Sequence, residues 1–142
     1  MEEIISNSPN ETIDLGKKIG ATLKCGDILI LSGDLGAGKT KFTEGILSYF
    51  GLQNEISSPT FTIVNEYYTN SLNIYHFDVY RIEDQEEFFY LGGDEYFKKG
   101  VSIIEWGEKI EKIIPKKYIK IDFSKSLDNE NVRIIKIKKI GY

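Results

Sequence analysis

Ile28-Leu29-Ile30-Leu31-Ser32-Gly33-Asp34-Leu35-Gly36-Ala37-Gly38-Lys39-Thr40 is the stretch that decides the fold. An apolar run leads straight into the pattern G-x-x-x-x-G-K-[ST], and a helix-compatible segment follows. Strand, glycine-rich loop, helix is the order a phosphate-binding loop requires. Backbone N–H groups must curl around phosphate oxygens, so glycine stands where a Cβ would block the approach or where φ is positive. A helix starting at Lys39 offers free N-terminal amides and the positive end of its dipole. Lys39 supplies a point charge for the β- and γ-phosphates, and the Thr40 hydroxyl is placed to ligate Mg²⁺. The expected nucleotide-holding set is therefore Gly33, Asp34, Leu35, Gly36, Ala37, Gly38, Lys39 and Thr40. A glycine-rich turn with no ligand is the alternative. With glycine near 7% of residues, about one chain in two hundred of this length would match the four fixed positions by chance.

Around that loop lie 142 residues, enough for one domain, 1–142, with a substantial core. Hydrophobic residues make up 41% and charged residues 28%, the balance of an ordinary globular chain. No apolar run approaches bilayer length, and Met1-Glu2-Glu3 lacks the basic start of a secretory signal, so the cytoplasm is the expected location. Cys25 is the single cysteine and reads as a small buried hydrophobe. A net charge of −4 argues against bulk electrostatic binding of nucleic acid. The charge is uneven, at −9 over residues 1–105 and +5 over residues 106–142. That basic quarter is either a lysine-rich sheet edge that resists strand pairing or a docking face for RNA or an acidic protein.

Ser8-Pro9-Asn10-Glu11 forms a capping box with proline at the first helical position, predicting a helix over 9–24. A strand over 28–32, the loop, and a helix over 39–50 stopped by Gly51 come next. Two β-rich runs, 61–68 and 72–80, are separated only by Thr69-Asn70-Ser71 and read as an antiparallel hairpin. A short helix over 82–91, a strand over 101–104, a helix to about 114 ended by Pro115, and strands over 118–123 and 132–140 complete the chain. The expected class is α/β, a P-loop NTPase-like mixed parallel and antiparallel sheet flanked by helices.

Hydrolysis would need a carboxylate for the metal and a group to orient water. Glu105 follows Val101-Ser102-Ile103-Ile104, at the carboxyl end of an apolar strand, where ligands collect in open α/β sheets. It is the candidate metal ligand; a helix-start glutamate is the plainer reading. In His76-Phe77-Asp78-Val79-Tyr80-Arg81, strand alternation puts His76 and Asp78 on one face. They either orient a water or reach the metal through one, or they form a structural hydrogen-bonded pair with Arg81. Thr60 stands where a switch segment would bring a hydroxyl to the γ-phosphate, although Ser58-Pro59-Thr60 is also good turn chemistry. Trp106 reads as core packing beside the metal ligand, and Lys39 as solvent-facing. A guanine-specifying motif is absent, and Arg81 and Arg133 are the only arginines, which fits an ATPase better than a small-molecule kinase. A module in which ATP occupancy alone switches docking is a further alternative.

Taken together, the loop from Gly33 to Thr40, Ser58-Pro59-Thr60-Phe61-Thr62, His76-Phe77-Asp78-Val79-Tyr80-Arg81 and Ile104-Glu105-Trp106 resemble the bacterial TsaE (YjeE) family in order and spacing. The resemblance runs from Thr12 to Arg133. It implies a Mg²⁺-dependent ATPase that works with the proteins TsaD and TsaB to place threonylcarbamoyl on adenosine 37 of tRNAs reading codons that begin with A, with tRNA contacted indirectly or weakly and no membrane involved. It further implies that Thr40 and Glu105 hold Mg²⁺, that Asp78 is needed for hydrolysis, and that Thr12 and Arg133 contact the nucleotide. Gly107-Glu108 departs from the family, where a proline often follows the tryptophan.

Overall fold

The computed structural model describes residues 1–33, 38–52, 54–55, 64–90, 92–115 and 117–142. Asp34, Leu35, Gly36, Ala37 and Thr60 lie outside the described residues. Seven strands form one sheet: β1 (Glu2–Ser6), β2 (Ile28–Gly33), β3 (Val64–Tyr68), β4 (Asn73–Asp78), β5 (Val101–Glu105), β6 (Tyr118–Lys125) and β7 (Arg133–Ile140). Their order is β1-β7-β6-β2-β5-β4-β3. The four central strands β6, β2, β5 and β4 are parallel, and antiparallel pairs close both sides. This is the mixed α/β sheet the sequence predicts.

The parallel centre is buried on both faces, so β2 and β5 read as continuous apolar runs rather than alternating ones. Leu29, Leu31, Ile103 and Ile121 face helices α1 (Pro9–Gly20) and α2 (Lys39–Tyr49). Ile28, Ile30, Phe77 and Ile104 face α3 (Gln85–Tyr90), α4 (Gly93–Tyr96) and a 3₁₀ segment, Gly107–Ile113. Ser8 caps α1, its hydroxyl accepting from Glu11 N at 3.2 Å. The helix ends at Gly20, four residues earlier than the predicted 24. Helices α1 and α2 cross through a pair of glycines. A Cβ on Gly45 would stand 2.9 Å from Gly16 Cα, and one on Gly16 would stand 2.9 Å from Gly45 Cα.

Four expectations are corrected. The lysine-rich β7 is no edge strand. It pairs with β6 on one side and with β1, a strand the sequence pattern does not predict, on the other. Cys25 is exposed, because it sits in the turn before β2, where its thiol donates to the Lys98 carbonyl at 3.5 Å. The segment after Trp106 is 3₁₀ and kinked at Ile110 rather than a regular helix. Trp106 itself is only half-buried, and it is the one non-glycine residue at positive φ among the described residues, at φ 63°.

Candidate functional site

The carboxyl ends of the central strands converge at one cleft. Sheet register sets Asp78 beside Glu105, and Glu105 beside Leu31, two residues before β2 ends at Gly33. Gly33 has φ 132° and no room for a Cβ against the Phe123 backbone, so no other residue fits there. Gly38, at φ 108°, opens α2 directly above. The cleft has a volume of about 450 Å³, and among its lining residues are Thr12, Gly38, Lys39, Thr40, Asp78, Glu105 and Arg133. Seven of the expected site residues that are described thus face one cavity of the size that small ligands occupy.

Lys39 departs from its solvent-facing expectation. It is 5% exposed; its Nζ donates to the Gly33 carbonyl at 2.8 Å and lies 3.9 Å from the centre of the Trp106 ring. Cation–π attraction of this kind is worth about 0.5–2 kcal/mol, more as the cation loses water. Trp106 reaches that position through its backbone. Its N–H donates to the Leu31 carbonyl at 3.0 Å, extending the β2–β5 ladder, and the left-handed conformation then turns the chain back over β2. A non-glycine residue held there costs on the order of 1–3 kcal/mol and persists only where its surroundings enforce it. Tyr80 packs on the indole at 4.9 Å between centroids. Trp106 therefore forms a wall of the cleft as well as packing on the core.

The carboxylates divide their partners. Glu105 Oε2 accepts from His76 Nε2 at 2.7 Å, both side chains being buried. Asp78 Oδ1 accepts from Tyr80 N at 2.9 Å, fixing the turn after β4. His76 thus pairs with Glu105, and of the two alternatives the structural pairing of His76 and Asp78 with Arg81 is not formed among the described residues. Burial raises the Glu108 carboxyl above its ordinary range, against the pull of Lys39 and Lys120. Thr40 is exposed at the mouth of the cleft. Thr12 is buried, its hydroxyl 2.7 Å from Ser6 Oγ, so its methyl group is what stands 3.5 Å from a Cβ built on Gly38. The Arg133 guanidinium donates to the carbonyls of Glu130 and Val132, holding the turn before β7.

Sequence reasoning missed Ser8, Pro9, Lys41 and Asn131 as further lining residues. Ser8 and Pro9 carried a signal, since a capped helix start was legible and helix starts face anions. Asn131 carried none. Among the described residues no group of three or more His, Cys, Asp and Glu side chains forms a metal cage. The donors present, a threonine hydroxyl and a carboxylate, are hard oxygens. They fit Mg²⁺, which is usually held by one or two protein oxygens plus phosphates and water.

The family model described as "Threonylcarbamoyl adenosine biosynthesis protein TsaE" matches residues 6–134. The tRNA threonylcarbamoyladenosine biosynthesis protein TsaE of Bacillus subtilis is 45% identical over 124 residues, covering 87% of this chain and 77% of that protein. Its counterpart in Rickettsia typhi is 42% identical over 137 residues, covering 96% and 94%. The crystal structure of YdiB from Bacillus subtilis superposes with a TM-score of 0.81 at 37% identity, covering 99% of this chain and 86% of that one. With the family model spanning most of the sequence and relatives above 40% identity along nearly its full length, this chain belongs to the TsaE family of tRNA threonylcarbamoyladenosine biosynthesis proteins.

Proposed function

We propose that the protein is a Mg²⁺-dependent ATP-binding and ATP-hydrolysing subunit of the machinery that makes threonylcarbamoyladenosine at position 37 of tRNA, acting with TsaD and TsaB in the cytoplasm. One observation carries the reading: Lys39, Thr40, Asp78 and Glu105, drawn from three separate elements, line a single cleft at the carboxyl end of the parallel strands. The amides of the loop and the start of α2 cradle the phosphates, and Lys39 leaves the Gly33 carbonyl to meet their charge. Thr40 and Glu105 hold Mg²⁺, which neutralises charge on the β- and γ-phosphates. Asp78 orients the attacking water. Thr12, packed under Gly38, and Arg133, packed on its turn, shape the far wall toward the nucleoside.

Arg133, the arginine that lines the cleft, is committed to its own turn, and Arg81 is not among the lining residues. An arginine supplied by a partner is worth about 10³–10⁵ in rate. Slow hydrolysis alone and faster hydrolysis in the assembled complex follow from that. The test is phosphate release with TsaD, TsaB and tRNA present. Asp78→Ala should bind ATP within about threefold of wild type yet release phosphate about 10²-fold more slowly, the usual scale for a lost acid–base group. Full multiple-turnover tRNA modification by Asp78→Ala would make the protein a nucleotide-gated docking module instead.

A further inference from the structure

His76 is the only histidine of the chain, and it sits in the sheet centre at 2% exposure. Its Nε2 lies 2.7 Å from Glu105 Oε2, while its Nδ1 has no hydrogen-bond partner among the described residues. A buried polar atom left unpaired weakens a fold and calls for a reason. An imidazole chosen only to fill the space under α2 would be better replaced by leucine or isoleucine, as at Ile74 and Ile103, which face the same side. What the imidazole provides is one rigid N–H aimed at one carboxylate oxygen. Since a carboxylate accepts, Nε2 carries a proton in this pairing.

We propose that His76 is the positioning residue of the metal carboxylate: its Nε2–H pins Glu105 Oε2, so that the other carboxylate oxygen is presented to the cleft at a fixed angle. This rests on the reading of Glu105 as a Mg²⁺ ligand. The backbone favours the arrangement. β4 and β5 are parallel neighbours with His76 opposite Ile103 and Asp78 opposite Glu105, so the histidine stands one step back along the adjacent strand, on the same face. A glutamate side chain has three rotatable bonds, and a hydrogen bond from a ring that cannot itself move removes most of that freedom. Groups that orient metal ligands in this way typically carry 10- to 100-fold in metal affinity.

The test compares His76→Leu, His76→Gln and Glu105→Gln, measuring ATP affinity by calorimetry in EDTA and across a Mg²⁺ titration. His76→Leu should raise the half-saturating Mg²⁺ concentration at least tenfold while leaving affinity in EDTA within about twofold. His76→Gln restores a donor at the Nε2 position and should return the Mg²⁺ requirement to within about threefold of wild type. Because no other histidine is present, the ¹⁵N imidazole spectrum of the wild-type protein reads its protonation directly, and a proton on Nε2 is expected. A wild-type Mg²⁺ requirement in His76→Leu, an equal loss of affinity in EDTA, or a proton on Nδ1 alone would each overturn the proposal. If Glu105→Gln shifts the Mg²⁺ requirement and His76→Leu does not, the positioning role fails while Glu105 keeps its place; an unchanged requirement in Glu105→Gln removes both.

Discussion

Gly45→Ala should destabilise this protein, although the same change at a helix position normally helps. In α2 an alanine gains about 1 kcal/mol of helix propensity over glycine. Against that, the new Cβ would stand on the Ile13 carbonyl oxygen of α1, 2.9 Å from the Ile13 carbonyl carbon and 2.9 Å from Gly16 Cα. All three are backbone atoms, so no rotamer change relieves the contact. Restoring the ~3.5 Å at which carbon atoms rest forces the helices apart by at least about 0.6 Å. Overpacking costs about 1–3 kcal/mol, and a clash with rigid backbone belongs at the upper end, leaving a net loss of about 2 kcal/mol. With roughly 2.1 cal/mol/K of unfolding entropy per residue, that lowers Tm by about 7 °C. Gly20→Ala supplies the control. It gains at most the same propensity, but its nearest neighbour is the Tyr49 Cβ at 3.1 Å, a contact that a shift of a few tenths of an ångström relieves. Its Tm should change by less than about 3 °C. Thermal unfolding by circular dichroism reads both. Since α1 carries Ser8, Pro9 and Thr12 into the cleft, Gly45→Ala should also weaken ATP binding. A Gly45→Ala protein as stable as wild type would refute the helix contact and the wall it sets.

Lys39→Met keeps the buried stem that alanine would delete, so it isolates the charge: ATP affinity by calorimetry should fall about tenfold to a hundredfold, the scale of a lost charge-assisted hydrogen bond, while the lost contact with Trp106 lowers Tm by about 2–7 °C. Unaltered affinity would remove Lys39 from the phosphate site. At the far end of the sheet, burial and the hydrogen bond to Glu111 at 2.7 Å push the Tyr118 hydroxyl up to about 12. A raised folded pKa contributes stability that is complete below the unfolded value near 10 and is lost as pH climbs toward 12. The Tm difference between wild type and Tyr118→Phe should therefore be constant from pH 7 to 9 and shrink between 10 and 12, and a difference that persists at pH 12 would contradict the pairing. Burial also raises the Glu111 carboxyl, but the hydrogen bonds from Lys120 and Tyr118 outweigh it and hold that group below its ordinary range. Its share of stability is accordingly present above about pH 4.5 and fades in acid.

What could be read from the sequence was whatever local chemistry decides. The phosphate loop, the cap at Ser8, the Gly51 stop and the strand alternation that puts His76 and Asp78 on one face each depend on residues within a few positions of one another. β1 could not be read that way. Glu2-Glu3-Ile4-Ile5-Ser6 has too few apolar residues to announce a strand, and it becomes one because β7, some 130 residues away, offers a free ladder: Ile4 opposite Ile135, Ser6 opposite Arg133. That pairing also explains the lysines of β7. Ile135 and Ile137 turn inward to the core and Lys136 and Lys138 turn outward, so their alternation marks a sheet face left open to water rather than an edge. Trp106 fails a local rule for a different reason. Continuing the strand alternation would send it away from Glu105, but a left-handed turn, unexpected at a bulky residue, swings it over Lys39.

Sheet register ties these features to function. Because β4, β5 and β2 are parallel and in step at Asp78, Glu105 and Leu31, β4 and β5 end side by side, and β2 runs two residues further, to Gly33. A slip of one residue between β4 and β5 would turn His76 and Asp78 to the opposite face of the sheet, burying the carboxylate among Phe77's neighbours and bringing Phe77 toward Glu105. The apolar residues interleaved with the polar ones, Ile74 and Ile103 on one face and Tyr75, Phe77 and Ile104 on the other, make that slip costly. The core residues therefore set the alignment of the site, and substitutions such as Phe77→Ser, remote from any phosphate, should damage ATP binding by loosening the register before they unfold the chain.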